Sequence, residues 1–185
     1  MTVVVGADRS WRPGNRAQWV AVVVTLVISA VFAIGLPRLA ESTAPQDTEI
    51  AAGERVEEAG VSVEVPAGWV RKAGAVVLAI DKGAAGLLLF PPVADPTSPD
   101  DAVTTTAAGF TDATVGEVST FTTDSGLDAA SVTVSDAATT TVLYAFSDGA
   151  TLANGQLSVA PDEWAALQPE VGTMLRTVEF TEASS

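Results

Sequence analysis

Three pairs of neighbouring carboxylates, Glu57-Glu58, Asp100-Asp101 and Asp162-Glu163, are the first places in this 185-residue chain where chemistry could sit. Two carboxylates in different environments can divide acid and base work on a glycosidic bond, and a denser set can hold calcium. Sequence neighbours, however, point to opposite faces of a strand, and at a helix start they serve the positive end of the dipole. Lys72 and Lys82 are further candidates, as bases beside a Ser or Thr nucleophile. Both flank expected strands, where a solvated lysine is the ordinary finding. The chain contains no His and no Cys. The commonest general base, the thiolate nucleophile and two of the main metal ligands are therefore missing. The nucleophile elbow, S-x-x-K, phosphate-loop, dinucleotide-loop and calcium-loop patterns are absent as well. These residues predict no enzyme, no cofactor and no metal site.

Binding residues are the alternative. Trp69 and Trp164 are large aromatics that could line a cleft or a partner surface, or else close a strand turn and anchor a helix. Pro91 and Pro92 lie in "FPPVADPTSPD" (90–100), a proline-rich segment. Such a segment can recognise a partner with little loss of entropy, or serve as a stiff crossover from strand to helix.

The charge balance limits the partners. The chain has 9 Lys+Arg against 23 Asp+Glu, a net charge of −14. Beyond residue 38 there are 22 acids and only five bases. A surface this acidic repels nucleic acid and anionic lipid headgroups. Without cysteine, stability must come from packing alone.

The positive charge is concentrated at the start. Arg9, Arg12 and Arg16 precede an apolar run from Trp19 to Leu36, with Arg38 just after it. As a helix the run would cover about 27 Å, near the thickness of the bilayer's hydrocarbon core. It has no polar face. Residues 1–18 therefore read as a cytoplasmic N-terminus, 19–36 as a transmembrane helix in the plasma membrane, and the remainder as extracytoplasmic. The run is longer than a signal-peptide core, and Arg38 spoils the small-x-small pattern before Ala40, so an uncleaved anchor is expected. Residues 37–52 read as a flexible linker, 53–181 as one exported domain and 182–185 as a tail.

Within the domain, "GVSVEVP" alternates valines and predicts a half-buried strand, with Glu54–Glu58 as its partner across Ala59-Gly60. "AVVLAID" and "GLLLFPP" read as an apolar hairpin turning at 82–85, at a sheet centre covered by helices. Ser98 caps a helix starting at Pro99, with Val103 and Ala107 facing the sheet. Four strand-like segments then form a meander from 113 to 160. A last helix places Trp164, Leu167, Val171 and Leu175 on one face, and Pro169 is expected to split it.

The Pro66-Ala67-Gly68-Trp69 turn after an early strand, the apolar hairpin, helix, meander and final "TMLRTVEF" helix together resemble the Mog1/PsbP-like family. More narrowly they are similar to small exported PsbP-like domains tethered to actinobacterial membranes. The resemblance covers about residues 53–181. It implies an α+β fold, an antiparallel sheet with flanking helices in an α/β/α sandwich. It also implies a binding or assembly role, here toward another envelope protein, and supplies no catalytic residue. A module for a small ligand or cation is the other reading. The two separate on geometry: a deep apolar pocket under Trp69 or Trp164 favours a ligand, and an exposed apolar patch favours a partner.

Overall fold

The computed structural model describes residues 47–181. The segments expected at 1–18, 19–36 and 182–185, and the linker up to residue 46, lie outside the described residues. Among the described residues no helix is long and apolar enough to cross a membrane.

Residues 47–52, expected as the end of the linker, belong to the folded domain. Strand β1 (Thr48–Glu49) pairs antiparallel with β4 (Val70–Arg71), and Ile50 is buried in the main core. One large apolar residue among polar and small ones has no period to read, so only its tertiary partners reveal the strand.

Strands β2 (Glu54–Glu58) and β3 (Val61–Val65) form the expected hairpin. Its two turn residues, Ala59 and Gly60, both take left-handed φ, 54° and 81°, as a tight I′ turn demands. Val56, Val61, Val63 and Val65 are all buried. A short β13 (Glu179–Phe180) pairs with β3, making a separate three-stranded sheet.

The second apolar hairpin joins β5 (Leu78–Lys82) to β6 (Ala85–Leu89) through Gly83 and Ala84. Val76 and Val77, expected in this strand, lie ahead of it; Val76 is 82% exposed in the loop from β4. A two-residue β7 (Val93–Ala94) follows within the proline-rich segment. Helix α1 (Pro99–Ala107) comes next, with Ser98 as N-cap. The meander comprises β8 (Thr114–Val115), β9 (Ser119–Thr122), β10 (Asp128–Ser135), β11 (Thr140–Ser147) and β12 (Thr151–Val159). Together these strands form a ten-stranded antiparallel sheet ordered β1-β4-β5-β6-β12-β11-β10-β8, with β7 on β12 and β9 on β10.

Helix α2 (Pro161–Arg176) runs unbroken through Pro169, contrary to the expected split. Pro169 and Ala165 are exposed, so the carbonyl that proline leaves without an amide partner faces water. The apolar face directs Val171, Met174 and Leu175 into the core.

Among the described residues the architecture is mostly antiparallel sheet with two helices, α2 together with the small sheet on one face of the large sheet and α1 on the other. One face of the large sheet gives Leu78, Ile80, Leu87, Leu89, Val142, Tyr144, Phe146 and Leu157 to a core shared with the small sheet and α2. The other face gives Ala130, Val132, Val134, Leu143, Ala145 and Leu152 to a smaller core under α1. Helix α1 lies over β10 and β11, so among the described residues no helix covers the β5–β6 hairpin on that side. Leu88, which points there, is half-exposed.

Candidate interaction surface

Trp69 is not a surface residue. Gly68 takes a φ of 85°, a conformation costly for other residues, and this turns Trp69 inward, where it is 0% exposed. Its indole Nε1 donates to Glu170 Oε1 at 2.7 Å, and Lys82 Nζ donates to the same carboxylate at 2.7 and 2.8 Å. Burial disfavours the charge on Glu170, but the Lys82 and Trp69 hydrogen bonds outweigh it and hold the carboxyl below its ordinary value. The three side chains clamp the turn, the β5–β6 hairpin and α2 together.

Trp164 is half-buried against the main core and anchors the first turns of α2. Pro92 is half-buried: a Cβ on Gly60 would lie 3.4 Å from its Cδ, so its ring packs on the β2–β3 turn. Pro91 is exposed beside it. The expected candidates are therefore not brought together into one surface. Two of them finish the core, one braces a turn and one faces solvent.

The carboxylate pairs likewise separate. Asp100 and Asp101 open α1, where Ser98 Oγ accepts from the Asp101 amide and donates to its carboxylate at 2.9 Å. Asp162 and Glu163 open α2. Glu58 pairs with Arg71. Among the described residues no group of three or more acids could hold a metal ion.

Lys72 sits between Asp47 at 2.7 Å and Asp81 at 3.2 Å. Hydrogen bonds to these two carboxylates raise its pKa, the opposite of what a general base requires. Beside it, an open groove of about 260 Å³ is lined by Thr48, Glu58, Arg71, Lys72 and the Ala73-Gly74-Ala75 loop. Its charged groups are already bonded to one another or to neighbours within the fold.

Two of the exposed large apolar side chains, Val115 and Val118, come from the β8–β9 edge. The register explains their placement. Val115 stands opposite Val134 and Ser119 opposite Ser131. Between those pairs, Gly116, Glu117 and Val118 face only Thr133 and Val132, so the edge strand carries one extra residue. Such a bulge resets the alternation. Val115 shares a face with Val134, in the α1 core, and the bulge returns Val118 to that same face. Phe110, also exposed, follows α1 directly, and its amide bonds to Ala107 O. The sheet thus extends one edge beyond the helix that covers it. Period-two reading of "ATVGEVSTF" missed this patch; the three-residue step from Val115 to Val118 was the available signal.

No family model matches the chain, and no curated protein matches it. Among solved structures it is similar to the solution structure of cyanobacterial PsbP (CyanoP) from Synechocystis sp. PCC 6803. That likeness has 17% identity and a TM-score of 0.48, and covers 77% of this chain and 98% of that one. It is also similar to a crystal structure from Bacteroides thetaiotaomicron VPI-5482, at 13% identity and a TM-score of 0.39, covering 76% of this chain and 51% of that one. At these values neither likeness extends to activity or partners.

Proposed function

We propose that this chain is a single-pass envelope protein with its N-terminus in the cytoplasm, whose extracytoplasmic PsbP-like domain binds or assists another envelope protein. Residues 19–36 supply the anchor in this reading, and the acidic domain excludes nucleic acid as partner. The observation that carries it is the apolar patch of Val115 and Val118, exposed on the face of the edge strand that α1 covers on its neighbour β10. The reading is non-catalytic, because the chain has no His or Cys and Lys72 is held protonated. A small-ligand or cation site draws less support: the groove at Arg71 and Lys72 is open, and its charges are paired internally.

Two experiments test it. Protease added to spheroplasts should digest the domain and leave a fragment ending near residue 40; a protected domain would reverse the orientation. Affinity capture of the full chain from mildly solubilised membranes should recover one envelope protein at near-stoichiometric yield. Recovery of none would remove the partner reading.

A further inference from the structure

Three properties of the patch narrow what can cover it. Its side chains are apolar, 46% exposed at Val115 and 39% at Val118. The backbone of the same edge is blunted, because two short strands are interrupted by the bulge and Glu117 stands in the interruption. Short, bulged, charged edges resist extension of a sheet by a further strand. Recognition therefore falls to the side-chain face next to α1 rather than to the edge amides and carbonyls. The surroundings are also acidic. Asp112 precedes the valines in sequence and Glu117 lies between them, and residues 47–181 hold 20 acids against five bases. Four of those bases, Arg55, Arg71, Lys72 and Lys82, are paired with acids of the fold. A second copy would set like charge against like, which discourages self-association.

We infer that this patch docks a cation-bearing segment of another envelope protein, with an apolar anchor against Val115 and Val118 and Lys or Arg directed toward Asp112 and Glu117. The inference rests on the partner-binding reading and adds its location and its chemistry. Only a few side chains are buried, so the interface belongs at the small, exchangeable end of the range. Its ionic part weakens as salt shortens the screening length.

The test uses the full chain in native membranes. A photo-crosslinking residue, benzoylphenylalanine, replaces Val118, and tagged wild type, Val115→Lys and Glu117→Lys are captured in parallel. The protein recovered with wild type should be the one crosslinked at position 118, and the crosslinked peptide should carry more Lys and Arg than Asp and Glu. Each substitution, and about 0.5 M NaCl, should lower recovery about tenfold. Circular dichroism of both variants should match wild type, since positions 115 and 117 are exposed. Undiminished recovery with both variants would overturn the inference while leaving the partner reading intact. A crosslinked homodimer would assign the patch to a second copy and overturn it. Stronger recovery with Glu117→Lys would mean an acidic partner, and would overturn it as well. Absence of any partner for wild type would sink the reading and the inference together.

Discussion

One face of the ten-stranded sheet is covered by a second sheet and a helix, and the other is covered by α1 over β10 and β11. The first core is built from large side chains, with Trp69, Phe146, Leu87 and Met174 among the fully buried ones. The second is smaller and is built mostly from alanines and valines, with Leu143 and Leu152, under a nine-residue helix. The difference follows from the covering elements. A broad two-element lid leaves deep space that large residues must fill, whereas a short helix covers less of the sheet and mostly small residues fill the space beneath it. What the short helix cannot reach becomes the exposed patch. The well-covered face provides stability, and the poorly covered face provides the surface on which function is proposed.

The contrast predicts a graded series. Trp69→Ala should cost about 3–5 kcal/mol, a large share of the roughly 5–15 kcal/mol that holds a domain together. Urea denaturation of the full chain should show a severe fall in midpoint or no folding, with Trp69→Phe milder. Val103→Ala, its counterpart under α1, should cost only about 1.5–2 kcal/mol for two buried methyl groups. Equal losses at the two sites would abolish the distinction between the faces.

Gly155→Ala should cost about 1–3 kcal/mol, comparable to Val103→Ala, because its new methyl must displace neighbours. A Cβ there would lie 2.6 Å from Leu89 Cδ2, on the Tyr144 side of the sheet. A neutral result in thermal denaturation would mean that the large core has slack.

Glu170→Gln should cost about 0.5–1 kcal/mol, because the Lys82 pair is partly solvated. It should also flatten the acid limb of stability. The Glu170 carboxyl is held below its ordinary value, so its contribution is complete above about pH 4.3 and is lost as pH falls through the lower folded value. Asp95, held down by hydrogen bonds from Thr97, acts in the same direction. At the other limb, hydrogen bonds to Asp47 and Asp81 raise Lys72, and burial raises Tyr144. Both contributions hold below about pH 10 and decline as pH rises beyond it. With no His, denaturation midpoints should be nearly flat from about pH 5 to 9. A midpoint shift centred near pH 6.5 would require an additional titrating carboxylate.

The smallest stability change is expected at the patch. Val115→Lys should move stability by less than about 0.5 kcal/mol, as for other exposed positions. A cost above about 1 kcal/mol would mark Val115 as part of the α1 core rather than of a surface.

Much of this was legible in the sequence. The valine alternation placed β3, the lysine-glycine turn placed the β5–β6 hairpin, Ser98-Pro99 placed the start of α1, and the Gly68-Trp69 pair marked a turn closed by an aromatic. Each signal is local: a period of two, a left-handed glycine, a capping hydroxyl. These act over a few residues, and the covalent chain alone sets them.

Local signals do not say which face of an element will be covered, or by what. Ile50, Val76, Pro92 and Val115 carry similar apolar side chains, yet they end as core, exposed loop, turn brace and exposed edge. Glu170 lies 88 residues from Lys82 and 101 from Trp69 in sequence, and no spacing announces their meeting. The uncovered patch depends on the length of α1, on one extra residue in the β8–β9 edge, and on the small sheet having closed the opposite face. The sequence by itself determined the strands, turns and caps. The packing of distant elements decided which apolar residues remain open to a partner, because burial is a property of the assembled layers and not of any single segment.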